Sequence, residues 1–252
     1  YDAEELAEHD NVPTELLEAL RTSHTVSWVN LDGVHDVDAV KAVCDVFHLH
    51  PLVVEDILNP GSRVKVEDYG DYLFAITKMV LPTASGGELA PEQVALVVGP
   101  TWVLSFQERP GDVFEAVRTR IRTAAGRIRT MQADYLLHAL LDAIVDGYFA
   151  EVERLDDVVQ GLEDAALRGD DPETARRIHT LRNEVRLLRR LSAPTRDLTA
   201  SLVRLPSERL LPETQPYFRD LHDHAAQVAD AADALRDRLG AALDLHLALA
   251  GH

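Results

Sequence analysis

Two neighbouring carboxylates, Glu55 and Asp56, close a short apolar stretch that opens at His50-Pro51. Adjacent like charges repel unless solvent or a cation relieves them. On residues alone the pair is most simply an exposed helix end; its chemical alternative is a grip on a cation. A second group, Asp134, His138, Asp142 and Asp146, is spaced by four, which places it on one face of a helix. Such a stripe could hold metal in a bundle. Carboxylate di-metal bundles use Glu-x-x-His motifs, and this chain has none, so a polar helix or subunit boundary is the plainer reading. Asp220 and His224, also four apart, can chelate one ion. His222 and His224 sit about 200° apart on a helix and cannot. Asp223, Asp230, Asp237 and Asp244 recur every seven residues and read as a solvated face. His48 and His50 read as a loop before proline.

Enzyme signatures are missing. The sequence has no Gly-x-Gly-x-x-Gly, phosphate loop, Gly-x-Ser-x-Gly or His-Glu-x-x-His. Its single cysteine, Cys44, excludes an intramolecular disulfide and a thiolate metal cage, and suits a reducing compartment. With 43 acidic and 25 basic residues the formal charge is −18. That opposes nucleic-acid binding, which depends on neutralising phosphate, and suits a cationic partner such as a divalent metal. No run of 18 uncharged apolar residues is present, so no span of the membrane is expected within the chain, and no signal peptide is visible. The first residue is not methionine and the last lie inside a helical pattern; a segment cut from a longer protein is expected.

These residues need elements to position them. The pattern predicts a helix over Pro13 to Leu20, a strand over Thr25 to Leu31, and a helix over Asp36 to Phe47 with Val37, Val40, Val43 and Phe47 on one face. His50 to Leu58 predicts a short helix. Arg63 to Met79 predicts two strands of a hairpin, reached through the turn residues Asn59-Pro60-Gly61. Ala84 to Gly87 reads as a loop. Val94 to Val98 and Trp102 to Phe106 predict a second hairpin. A helix comes after Gly111-Asp112, with Val113, Val117, Ile121 and Ala124 lining it.

Beyond Met131 the strand signal fades. Gln132 to Leu167 predicts one long helix, with Leu136, Leu140, Ile144, Phe149, Val152, Leu155, Val159 and Leu162 inward. A second should start at Asp171-Pro172 and bury Ile178, Leu181, Val185 and Leu188. The first is acidic and the second carries Arg176, Arg177, Arg182, Arg186, Arg189 and Arg190, which predicts antiparallel neighbours with complementary charge. Pro194, Pro206, Pro212 and Pro216 should punctuate the chain between this helix and the last one. That last helix, from about Glu213, carries the heptad series Leu221, Val228, Leu235, Ala242 and Leu249, interleaved with Ala225, Ala232 and Leu239. This predicts close packing in a bundle or between subunits.

The stretch HPLVVEDILNPGSRVKVEDYGDYLFAITKM, His50 to Met79, resembles the cytosolic domain of CorA-type magnesium transporters. Trp28 to His35, Glu92 to Val94, Phe106 to Glu108, Gly111 to Phe114, Ala133 to Leu137, Asp142 to Asp146 and Pro216 to Asp220 resemble the same family, in order. The resemblance implies an α/β/α sandwich with a mixed sheet, an antiparallel hairpin of long helices, and a stalk helix leading toward the membrane. The implied divisions are 1–126, 127–212 and 213–252. It implies no catalysis. It implies instead a homopentamer at the cytoplasmic face of the cell membrane, with Mg2+ as transported and regulatory ion and Co2+, Ni2+ or Zn2+ as alternatives. The metal positions it implies are Asp56 with Asp220 of a neighbouring subunit, and Glu55 with Asp142 for an adjacent second site. Two departures stand out. Arg63-Val64-Lys65 replaces Arg-Pro-Lys, and early strands upstream of Trp28 are not evident, which predicts a shortened sheet. A zinc-transporting relative and a free-standing metal-dependent enzyme are the alternative readings.

Overall fold

The computed structural model describes residues 1–81, 89–168 and 173–250. Its elements are α1 (Thr14–Arg21), β1 (Ser27–Asp32), α2 (Val37–Val46), α3 (Pro51–Leu58), β2 (Lys65–Asp68), β3 (Leu73–Val80), β4 (Pro91–Val98), β5 (Trp102–Gln107), α4 (Glu115–Arg122), α5 (Ala133–Arg168), α6 (Glu173–Arg204) and α7 (Gln215–Ala250). The strands form one sheet in the order β1-β5-β4-β3-β2. β1 runs parallel to β5 and every other pairing is antiparallel, so the sheet is mixed, as the sequence predicts. Tyr1 exchanges backbone hydrogen bonds with Val26 just before β1, at 2.9 and 2.6 Å.

The inner strands read as unbroken apolar runs because both of their faces are covered. Side chains alternate between two cores. Phe74, Ile76, Ala95, Val97, Leu104 and Phe106 face α1, α2 and α3 through Leu17, Val40, Cys44, Phe47, Val53 and Ile57. Leu73, Ala75, Met79, Val94, Leu96 and Val103 face α4 and the long helices through Val117, Ile121, Leu136, Leu140 and Ile144. The expected three-layer sandwich is formed, and among the described residues no strand lies beyond Met131.

Several local expectations are corrected. Ala124 lies beyond α4, exposed and with φ 52°, so it lines no helical face. On α5, Phe149 and Val152 pack against the core while only partly covered, and Tyr148 and Glu151, which the spacing does not mark, are buried beside them. Pro194 does not interrupt the chain; it lies inside α6. The next residue, Thr195, turns its hydroxyl back onto the Leu191 carbonyl at 2.9 Å, as buried helical threonines do. The predicted loop Ala84 to Gly87 and the predicted cap Asp171-Pro172 lie outside the described residues.

The long helices pack differently from the charge-matched pair that the sequence suggests. α7 lies against both α5 and α6. Its Arg238 reaches Asp156 and Glu163 of α5, the latter at 2.7 Å, and its Asp233 accepts from Arg189 of α6. An ion pair between α5 and α6 has the opposite polarity to that expected: Arg154 of α5 holds Glu184 of α6 at 2.6 Å. Leu221, Ala225, Val228, Ala232, Leu235, Leu239 and Ala242 are all buried, so the alanine-rich seam is consumed within the chain. It ends on buried His246, whereas Leu249 is exposed.

Candidate metal centre

α3 is built to present carboxylates. His50 caps it, its Nδ1 accepting the Leu52 N–H at 3.2 Å, and Pro51 comes next at a position where no N–H is needed. Val53 and Ile57 bury one face. Leu52, Glu55, Asp56 and Asn59 lie on the outward face, where Glu55 borders a shallow groove with Lys41, Asp45, Leu49 and Val54. The open end of the helix is fastened to the sheet. Gln93 Nε2 donates to the carbonyls of Asp56 and Asn59 at 3.1 and 3.0 Å, and Lys78 Nζ donates to the Pro60 carbonyl and to Gln93 Oε1 at 2.6 and 2.8 Å.

Asp56 already has internal partners. Ser62 Oγ donates to its Oδ1 at 3.0 Å, and Lys65 Nζ lies 2.7 Å from its Oδ2. Its side chain keeps 26% exposure. Neither Ser62 nor Lys65 is singled out by sequence reasoning. Lys65 had a signal, its place in the Arg63-Val64-Lys65 departure, but that signal points to strand entry rather than to a carboxylate nine residues earlier.

A second group forms between α5 and α7. His224 stands between two carboxylates, with Nε2 3.9 Å from Asp220 Oδ2 and Nδ1 3.8 Å from Asp142 Oδ1. The Phe149 ring and the imidazole stand nearly perpendicular, the centroids being 6.1 Å apart. Asp220 is open to solvent at 68% exposure. Burial, with the neighbouring Asp146 as the next cause, raises the pKa of Asp142 above the usual carboxylate range, so this carboxylate gains from any cation placed beside it. His222 turns away, its Nδ1 3.1 Å from Thr199 Oγ1 on α6, in keeping with the angular argument.

The Asp134-His138-Asp142-Asp146 stripe divides. Asp134 is buried and accepts the N–H groups of Tyr135 and Leu211 at 2.9 and 2.8 Å. His138 sits among Tyr135, Tyr217 and Phe218. Only Asp142 joins His224. The exposed aspartates 223, 230, 237 and 244 lie on the solvated face of α7, as expected.

The four expected metal residues are therefore not gathered in one chain. Glu55 and Asp56 belong to the layer of α3, and Asp142 and Asp220 to the opposite, helical layer. Among the described residues no three His, Cys, Asp or Glu side chains come close enough to hold an ion. The donors that are present, exposed or partly exposed hard oxygens with one imidazole, fit a cation that keeps part of its water shell.

Known proteins share this architecture. The soluble domain of CorA from Methanocaldococcus jannaschii has the same fold, with a TM-score of 0.72 at 20% identity over 84% of each chain. So has the ZntB cytoplasmic domain from Vibrio parahaemolyticus, with a TM-score of 0.72 at 12% identity over 88% of each chain. The class defined is thus the fold shared by the CorA soluble domain and the ZntB cytoplasmic domain. Residues 23–252 match the family model "CorA-like Mg2+ transporter protein". The chain is 42% identical over 247 residues to the cobalt/magnesium transport protein CorA of Thermotoga maritima, covering 98% of this chain and 70% of that protein. It is 27% identical over 241 residues to the putative metal ion transporter YfjQ of Bacillus subtilis, covering 95% and 72%. The chain belongs to the CorA family, whose members are ion transporters and not enzymes, which removes the metal-dependent enzyme from the readings. No helix among the described residues is long and apolar enough to cross a membrane.

Proposed function

We propose that this chain is the metal-sensing and assembly domain of a CorA-type magnesium/cobalt channel, at the cytoplasmic face of the membrane and working as a homopentamer. In this reading residues 1–126 form the α/β part, 127–212 the helical hairpin, and 213–252 the stalk that carries the signal toward the membrane. Asp56 of one subunit and Asp220 of the next share a hydrated Mg2+, and Glu55 and Asp142 serve an adjacent second site.

The supporting observation is the separation of Asp56 and Asp220 into different layers of one chain, both still reachable by solvent. An ion shared by them needs two copies. Magnesium sheds water reluctantly and commonly retains several waters while one or two carboxylates flank it. Without the ion the facing carboxylates repel. Binding therefore favours the packed ring, and ion loss lets the subunits part, which in the intact transporter closes the pore at high magnesium and frees it at low. The shift cannot exceed the ion's differential affinity for the two arrangements.

The test uses full-length protein with Asp56→Asn and Asp220→Asn, singly and together. Each single change should weaken magnesium-dependent protection of the α7 stalk from protease, and the double change should add little. Unaltered protection in both single variants sinks the reading.

A zinc-transporting relative is the second reading. It is favoured by His224 between Asp142 and Asp220, since imidazole raises affinity for softer divalent ions. Protection requiring less zinc than magnesium, and lost on His224→Ala, would select it.

A further inference from the structure

We propose that Lys65 is the built-in counter-cation of Asp56 and sets how much divalent cation is needed to occupy that carboxylate. The inference rests on the reading of Asp56 as a metal-binding group.

The ammonium is held from several sides. Lys65 Nζ lies 2.7 Å from Asp56 Oδ2 and 2.9 Å from Glu67 Oε2, and 5.6 Å from the centroid of the Phe74 ring. A surface lysine with one partner contributes little because holding it still costs side-chain entropy. Here β2 fixes the start of the side chain, and two carboxylates and a ring fix its end. Lys65 is 30% exposed and Asp56 26%, so the pair is shielded from bulk water without being sealed from it.

This arrangement has three consequences for an incoming ion. Asp56 has both oxygens engaged, Oδ2 by Lys65 and Oδ1 by the Ser62 hydroxyl, so only its outward lone pairs are free. An ion there is met most readily through water rather than by displacing both donors. The fixed positive charge also opposes a dication electrostatically. A unit charge about 6 Å from a divalent ion in a water-like dielectric weakens its binding about tenfold. The third consequence concerns the empty state. Lys65 neutralises Asp56 when no ion is present, so Glu55 and Asp56 can stay adjacent on α3 without a metal. The carboxylate can lose its ion without losing its place, which a reversible sensor requires.

The test is a magnesium titration of full-length protein, read by protection of α7 from chymotrypsin, in wild type, Lys65→Met, Lys65→Arg and Asp56→Asn. Methionine keeps a stem over Phe74 and removes the charge; arginine keeps the charge. Half-protection in Lys65→Met should occur at about one-tenth of the wild-type magnesium concentration, by the same Coulomb argument, with Lys65→Arg close to wild type. In excess chelator Lys65→Met should melt below wild type, and saturating magnesium should close that gap. A merely structural lysine would give an equal loss of melting temperature with and without magnesium, and no shift to lower magnesium. That result, or a shift to higher magnesium, overturns the proposal while Asp56→Asn still weakens protection. If Asp56→Asn leaves protection intact, the reading of Asp56 fails and this one fails with it.

Discussion

Gln93 of β4 ties off the helix that carries Asp56: its Nε2 donates to the Asp56 carbonyl at 3.1 Å while its Oε1 accepts from Lys78 at 2.8 Å. Gln93 itself is 4% exposed. Gln93→Leu removes one of two donors from each of the Asp56 and Asn59 carbonyls, which keep the N–H groups of Asn59 and Ser62, and takes one partner from Lys78. The expected cost is about 1 kcal/mol, the net worth of a typical internal hydrogen bond. Denaturant unfolding measures it, and faster amide exchange should be confined to α3 and the turn after it. Exchange unchanged in α3 would show that the clamp is idle.

The alanine seam of α7 can be tested by overpacking. Ala232 has no exposed surface and lies where α7 meets its neighbouring helices. Ala232→Leu crowds that contact and should destabilise the single chain by about 1–3 kcal/mol. If the seam instead joined subunits, the substitution would change the sedimentation coefficient at unchanged monomer stability. Because the seam is used internally, the metal-free chain at micromolar concentration should sediment mostly as small species. A stable pentamer in chelator would contradict that.

Acid sensitivity should come in part from His138. It is 6% exposed and its Nδ1 has no hydrogen-bond partner among the described residues. Burial, and then the positive charge of Arg120, lower its pKa from 6.5 to about 4. The unfolded chain therefore binds this proton at a higher pH than the folded chain does. Its contribution to stability is full above pH 6.5 and falls away as the pH drops toward about 4. The full loss is about 3 kcal/mol. His138→Phe should flatten the stability profile over that window relative to wild type. Parallel profiles for the two proteins would show that another group carries the effect.

Arg238 bridges α7 to two carboxylates of α5, Asp156 and Glu163. Its side chain is 37% exposed, so solvent screens the gain. Arg238→Met should cost no more than about 1 kcal/mol, and less as salt is added. A loss several times larger, independent of salt, would mean that the guanidinium acts by packing rather than by charge.

The sequence by itself determined the periods. Alternation, runs of β-branched residues and turn chemistry placed the strands. Spacings of three and four marked the long helices, and the His50-Pro51 opening with paired carboxylates marked α3. These signals are local: burying one face imposes a repeat of two or of 3.6 on consecutive residues. The resemblance along the chain then supplied the family and the expected metal positions. The tertiary structure decided what meets what. It put α7 against both α5 and α6, carried α6 unbroken through Pro194, and used the heptad seam inside the chain. It paired Asp56 with Lys65 across the turn from α3 to β2, and brought His224 of α7 to Asp142 of α5. Such meetings depend on the register between elements far apart in sequence, and that register is fixed by the fit of whole side-chain surfaces in the two cores, which no local spacing encodes.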